Sequence, residues 1–218
     1  TVLDLADRAL GRLLPAEGSA YLQDKLQALG VSFRFGAAAK AVNRAEDGSL
    51  NILLSDGSTL NADLVLSAIG LKARTDLAAA AGLAVNRGVV VDQTLQTSAA
   101  HVYAVGDMAE VMGLNLPYVM PIMQQARALA ATLAGNTTAV NYPAMPVTVK
   151  TPGCPTVVCP PAMGANGQWV VEPVEDGLVS KFVNDAGTLL GFALQGKATA
   201  QRQALATQVP ATLVAPSA

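Results

Sequence analysis

The sequence predicts an α/β fold of Rossmann-type units, each incomplete, and three observations carry that expectation. The first is element order: residues 1–70 read as strand, helix, strand, hairpin meander and buried apolar strand, the later half of a nucleotide-binding unit. The second is a missing piece, since no Gly-x-Gly-x-x-Gly turn occurs in the 218 residues, and the strand, phosphate loop and helix that open such a unit are not found. The third is the start itself. Thr1-Val-Leu-Asp4 has no initiator Met and begins as if inside a strand, so the later part of a longer protein is expected.

Each element has its own signal. Residues 1–4 read as a strand end, followed by an irregular connection to Pro15. Between Ala16 and Leu29 the apolar Tyr21, Leu22, Leu26 and Leu29 recur at helical spacing, and Gly30 stops the helix. Val31 to Phe35 alternates as a strand. Strands at 41–44, 50–54 and 59–60 are joined by the turn signals Asp47-Gly48 and Asp56-Gly57. Asp63 to Gly70 reads as a buried apolar strand ending in glycine, and a short helix then runs to Gly82. Strands follow at 89–92 and 102–105. A long helix begins at Tyr118 with Pro121 in its first turn and Gly135 as its cap. Beyond it come β-branched runs at 145–149 and 156–159, strands at 169–171, 178–183 and 189–193, and a helix from Ala198 to Thr207.

Bulk properties exclude several classes. With 51% hydrophobic and 14% charged residues the chain can fill a core, which excludes disorder. A net charge of −2 supplies no basic field for nucleic acid or an anionic membrane. The apolar stretches are too short or too interrupted to span a bilayer, and no secretory signal opens the chain, so a cytoplasmic location is expected. His101, the single histidine, and two cysteines fall short of the four ligands of a structural zinc.

A few residues stand out as chemistry-bearing. Asp4 ends a strand where a dinucleotide-binding unit places the carboxylate that reads the adenosine ribose, and such a carboxylate favours NAD over NADP; the competing reading is an exposed turn aspartate. In Thr97-Ser-Ala-Ala-His-Val-Tyr-Ala-Val-Gly-Asp107, Gly106 lets backbone approach a ligand with no Cβ in the way, and Asp107 offers two acceptor oxygens to a hydroxyl. The competing reading is a strand ending in an Asp N-cap. The long helix carries free amides and a partial positive charge at Val119, Ile122, Met123 and Gln124. Lys150 ends a β-branched run and reads as solvated on its own evidence. Cys154-Pro-Thr-Val-Val-Cys159 has the spacing of a redox disulfide, but a strand here would hold the sulfurs beyond disulfide reach, which leaves buried thiols as the preferred reading.

The 97–107 segment resembles the pyridine nucleotide-disulfide oxidoreductase family of FAD flavoproteins, whose Thr…Tyr-Ala-x-Gly-Asp motif supplies the aspartate on the FAD ribityl hydroxyls. Ser67-Ala-Ile-Gly70 is similar to the family's segment crossing between its NAD and FAD domains, although the family's frequent Pro-Asn is replaced by Arg74-Thr75. Leu13-Leu-Pro15, Pro121-Ile-Met-Gln-Gln-Ala-Arg-Ala-Leu-Ala130 and Val147-Thr-Val-Lys-Thr-Pro152 resemble the rubredoxin-reducing members of that family. The resemblance implies FAD/NAD(P)-binding three-layer domains at 1–74 (NAD) and 75–141 (FAD), then a small α+β C-terminal domain at 142–218. It implies FAD on Gly106, Asp107, Val119, Met123, Gln124 and Lys150, and NADH on Asp4, Ile69 and Gly70. It further implies hydride transfer from NADH to flavin and single electrons passed to rubredoxin or a similar small acidic iron protein, docked on basic residues among Lys72, Arg74, Lys150, Lys181 and Lys197. Two other readings stay open: a non-enzymatic nucleotide-binding fragment, and a ferredoxin or dithiol reductase of the same family.

Overall fold

A computed structural model describes residues 1–216 and divides the chain into two compact units, one formed by Thr1–Ala68 with Pro146–Val209, the other by Ile69–Met145 with the segment from Pro210 onward. The first unit opens with β1 (Val2–Asp4), paired in parallel with β2 (Phe33–Phe35), and α1 (Ala16–Gln27) lies between them in sequence. Helix α1 starts after Pro15, whose extended backbone needs no donor there, carries Glu17 in its first turn and Lys25 in its last, and ends where Gly30 turns left-handed at φ 87°. Its inner face places Leu22 with Leu14, Cys154, Val158 and Ala193 in one apolar cluster.

Strands β3 (Ala39–Arg44), β4 (Leu50–Leu54) and β5 (Thr59–Ala62) form the expected antiparallel meander. Its two turns use one device. Asp47 accepts the Ser49 amide at 2.9 Å and hydroxyl at 2.6 Å, and Asp56 does the same for Ser58, with Gly48 and Gly57 supplying the positive φ. The serine hydroxyl, then the serine amide, hold both carboxyls below the usual carboxylate range.

Five antiparallel strands complete the unit in the order β10 (Gln168–Val174), β11 (Gly177–Val183), β12 (Leu189–Gly196), β9 (Thr156–Cys159), β8 (Val147–Val149). Phe192 and Leu194 are fully buried on the central strand β12. Gln195 on the same strand donates from Nε2 to the Gly18 carbonyl of α1 at 3.0 Å, fastening helix to sheet. The helix expected at 198–207 is split into a 3-10 turn, Lys197–Gln201, and α4 (Arg202–Ala206), with the Gly196 φ of 62° turning the chain out of β12.

The second unit contains α2 (Asp76–Ala80), the parallel pair β6 (Val89–Val91) and β7 (Ala109–Val111), and α3 (Val119–Leu133). Its core is Val89, Val91, Leu95, Val111, Ala128, Val140 and Tyr142. The chain returns to this unit near its end: Leu213 pairs with Tyr142, and Gln93 donates from Nε2 to Val140 O at 3.0 Å and Val214 O at 2.7 Å.

Two expected strands need correction. The segment from Asp63 to Gly70 is neither buried nor a strand, with Leu64, Leu66 and Ile69 exposed by 82%, 84% and 96%. A parallel strand draws its hydrogen bonds from neighbours on both sides, and no described strand pairs with this one. The strand at 102–105 reduces to a single bridge between Tyr103 and Gln96 for the same reason. Conversely, β7 at 109–111 carries no obvious strand signal, because its middle residue is a glutamate that the fold buries.

Candidate functional site

The expected FAD residues Gly106, Asp107, Val119, Met123 and Gln124 all belong to the second unit, and Lys150 to the first. The chain reaches Gly106 from the Tyr103 bridge and turns at φ 89°, a left-handed corner that favours glycine. Among the described residues beyond its chain neighbours, nothing lies within 4 Å of where a Cβ at Gly106 would sit, so open space lies on that side of the corner. Asp107 is exposed, and its carboxylate makes no hydrogen bond or ion pair among the described residues; only its backbone carbonyl is engaged, accepting from Asn115 Nδ2 at 2.9 Å. Asn115 also donates to Ala109 O at 3.0 Å, which ties the turn into β7.

Immediately behind the corner sits a buried polar chain. Gly106 N–H donates to Gln125 Oε1 at 2.6 Å, and Gln125 Nε2 donates to the Tyr142 hydroxyl at 2.8 Å. Both side chains are buried, and desolvation first of all pushes the Tyr142 phenol above its ordinary value, against the opposing Gln125 hydrogen bond. Below the corner Glu110 is 3% exposed, accepting Asn86 Nδ2 at 2.9 Å and the Gly88 amide at 3.0 Å. Burial works to raise the Glu110 carboxyl, but the bonds from Asn86, Gly88 and Arg87 together with the Arg87 charge outweigh it, and the group sits below its usual range. Gln125, Tyr142, Asn115 and Glu110 escape a reading of sequence because a glutamine in a helix or a glutamate beside valines carries no positional signal.

Helix α3 has Tyr118 as its N-cap residue in extended backbone, and no side chain caps it. The first intrahelical bond therefore closes from Ile122, and since Pro121 has no N–H, the amides left over in the first turn are those of Val119 and Met120. Met123 and Gln124 stand in the second turn, where their amides are consumed by the helix and only their side chains are on offer. Val119, Met120 and Met123 are exposed by 70%, 45% and 44%, an apolar surface at the positive end of the helix. A left-handed glycine facing open space, an unengaged carboxylate and an uncapped apolar helix start suit a ligand with a polyol chain and an electron-rich ring. The donor set thus fits a flavin.

Asp4 ends β1, is exposed, and accepts the Ala6 amide on Oδ1 at 2.9 Å. It lies in the first unit, whereas Ile69 and Gly70, the latter at φ 94°, begin the second. Among the basic residues, Lys72, Arg74 and Lys150 are exposed and form no ion pair among the described residues. Lys197 instead binds Asp176 at 2.9 Å, and this bond is the main reason the Asp176 carboxyl is lowered. Two clefts of the first unit, about 490 and 350 Å³, are lined respectively by Arg8, Arg12, Pro15 and Trp169 and by Tyr21, Lys25, Cys154 and Lys197; none of the expected FAD or NAD residues lines either. Cys154 and Cys159 are buried thiols, with no disulfide between them. No helix among the described residues is long and apolar enough to cross a membrane.

The family model described as pyridine nucleotide-disulphide oxidoreductase matches residues 1–132, and that of the rubredoxin binding C-terminal domain matches residues 139–209. Among curated proteins, the chain is 52% identical over 206 residues to the rubredoxin-NAD(+) reductase of Alcanivorax borkumensis, covering 94% of this chain and 54% of that protein. It is 48% identical to the enzyme of the same name from Acinetobacter baylyi, covering 94% and 52%. Among solved structures, a ferredoxin reductase from Rhodopseudomonas palustris superposes with a TM-score of 0.82 at 28% identity, covering 96% of this chain and 54% of that one. The chain therefore spans about half the length of the curated relatives it matches.

Proposed function

Because this chain belongs to the pyridine nucleotide-disulphide oxidoreductase family, we propose that it forms the later part of an FAD-dependent reductase that oxidises NADH and delivers electrons to rubredoxin or a similar small acidic iron protein. The observation that carries this reading is the Gly106–Asp107 corner, with its unengaged carboxylate beside open space. When bound, FAD supplies the conversion between a two-electron hydride donor and a one-electron iron acceptor. The chain's own contribution is positional. Asp107 would accept from the ribityl hydroxyls, Gly106 would keep that approach clear, and the Val119 amide with the partial charge of α3, together with the Met123 and Gln124 side chains, would hold the ring. Lys150 is a further proposed FAD contact, and Asp4, Ile69 and Gly70 are proposed NADH contacts, the acidic Asp4 favouring NAD over NADP.

In this proposal residues 1–74 belong to the NAD domain, 75–141 to the FAD domain and 142–218 to the domain that meets the iron protein. The match of residues 139–209 to the rubredoxin binding domain, and the close likeness to two rubredoxin-NAD(+) reductases, support rubredoxin over ferredoxin as acceptor. Of the candidate docking cations, Lys150 and Lys181 belong to the first unit and Lys72 and Arg74 to the second; Lys197 is partly neutralised by Asp176 and contributes least. Buried thiols at Cys154 and Cys159 suit a reducing cytoplasm and take no part in electron transfer. The test is NADH-driven reduction of rubredoxin by the full-length protein. Rubredoxin should be reduced in preference to a ferredoxin; transfer to neither protein, or to ferredoxin alone, would overturn the assignment.

A further inference from the structure

The Gly106–Asp107 dipeptide is held at both ends by side chains that never touch the carboxylate. Gln125 Oε1 takes the Gly106 amide at 2.6 Å, and Asn115 Nδ2 takes up the Asp107 carbonyl at 2.9 Å. On its open side, among the described residues beyond its two chain neighbours, nothing lies within 4 Å of where a Gly106 Cβ would sit, so packing does not fix the corner there. Gln125 is 1% exposed on the face of α3 that otherwise buries Pro121 and Ala128. A leucine or methionine would serve that face as core, and a buried amide is costly unless both of its ends are bonded.

Both ends are bonded here, and the amide can sit only one way round. The Gly106 N–H can only donate, so it must meet Oε1, which turns Nε2 toward the Tyr142 hydroxyl at 2.8 Å. Tyr142 is fully buried and fixed in turn, its backbone paired with Leu213. A rigid anchor, an amide of defined orientation and a glycyl corner thus form one line that ends at the free carboxylate.

We infer that Gln125 is a positioning residue for the cofactor, holding the Gly106 corner so that Asp107 presents its carboxylate to the ribityl chain, with Tyr142 as the anchor. This rests on the assignment of Asp107 to FAD. The experiment uses the full-length protein and measures the dissociation constant of FAD, with visible circular dichroism of the bound flavin as a second readout, in D107A, Q125M, Q125E, Y142F and the D107A/Q125M pair. Q125M keeps the volume and removes the acceptor; it should weaken FAD about tenfold and change the flavin dichroism. Q125E restores an acceptor for Gly106 and should return affinity to within about threefold of the parent. In the D107A background Q125M should cost less than about threefold, because two residues acting on one contact are not additive.

Equal losses from Q125M in the two backgrounds, or a Q125M protein that binds FAD as tightly as the parent, would overturn the inference while leaving Asp107 in place. A neutral D107A would sink the Asp107 assignment itself. Should Q125M fail to fold, Y142F carries the test: losing the anchor should weaken FAD about threefold with Asp107 present and leave affinity unchanged without it, and any other pattern counts against the inference.

Discussion

Replacing Glu110 tests the frame that supports the Gly106–Asp107 corner. This carboxylate is 3% exposed in the middle of β7 and accepts from Asn86 and from the Gly88 amide, which lies at the start of the neighbouring strand β6. Hydrogen bonds to a charged group contribute about 1.5–3 kcal/mol each, a loss that includes the desolvation of the buried donor left behind. Glu110→Ala loses two such bonds and should therefore cost about 3–6 kcal/mol, a large share of the roughly 5–15 kcal/mol that folded proteins possess. At about 2–4 °C per kcal/mol for a protein of this size, the thermal midpoint should fall by about 6–24 °C at neutral pH. Glu110→Gln keeps one acceptor oxygen and should cost about 1–3 kcal/mol.

The sign of the pH dependence follows from the lowered Glu110 carboxyl. Its stabilising effect is complete above the unfolded value of 4.5 and is lost as pH falls through the lower folded value. The gap in midpoint between the parent and Glu110→Gln should accordingly be constant at neutral pH and close on acidification below 4.5. Melting curves of the parent and both variants across pH decide the matter. An alanine variant that melts with the parent at neutral pH, or a glutamine gap that widens in acid, would refute the reasoning.

Other perturbations reach the same region or the proposed chemistry. Asn115→Ala removes both bonds that shape the turn after Asp107, at 2.9 and 3.0 Å, and should lower stability by about 1–3 kcal/mol in a denaturant titration and weaken FAD by dialysis. Gly88→Ala places a Cβ 2.6 Å from the Met108 carbonyl, so β6 and β7 must separate; a loss of about 1–3 kcal/mol and faster amide exchange across Val89–Val91 are expected. The double variant Cys154→Ser/Cys159→Ser should keep its NADH-to-rubredoxin rate, measured by stopped-flow, since both thiols are buried and not joined.

Much of the fold was legible because it is local. The helical spacing of Tyr21, Leu22 and Leu26, the Asp47-Gly48 and Asp56-Gly57 turns, and the Pro121 and Gly135 punctuation of α3 all act within a few residues and appear where expected. The segment at 63–70 misled because its apolar run speaks for burial, whereas being a strand depends on neighbours that no local pattern encodes. At the site, the Gly106 turn was legible because positive φ favours glycine. The residues that brace it were not. Gln125 and Tyr142 are 17 positions apart, Asn86 and Glu110 are 24, and only the folded chain brings such pairs within bonding distance.

Asp107 is the proposed anchor of the flavin. FAD content per chain of the purified full-length protein, compared between the parent and Asp107→Ala, tests that claim most directly. The parent should retain flavin through gel filtration, and the alanine variant should emerge folded but largely colourless, regaining flavin only when FAD is supplied in excess. An alanine variant that retains as much flavin as the parent would contradict the claim.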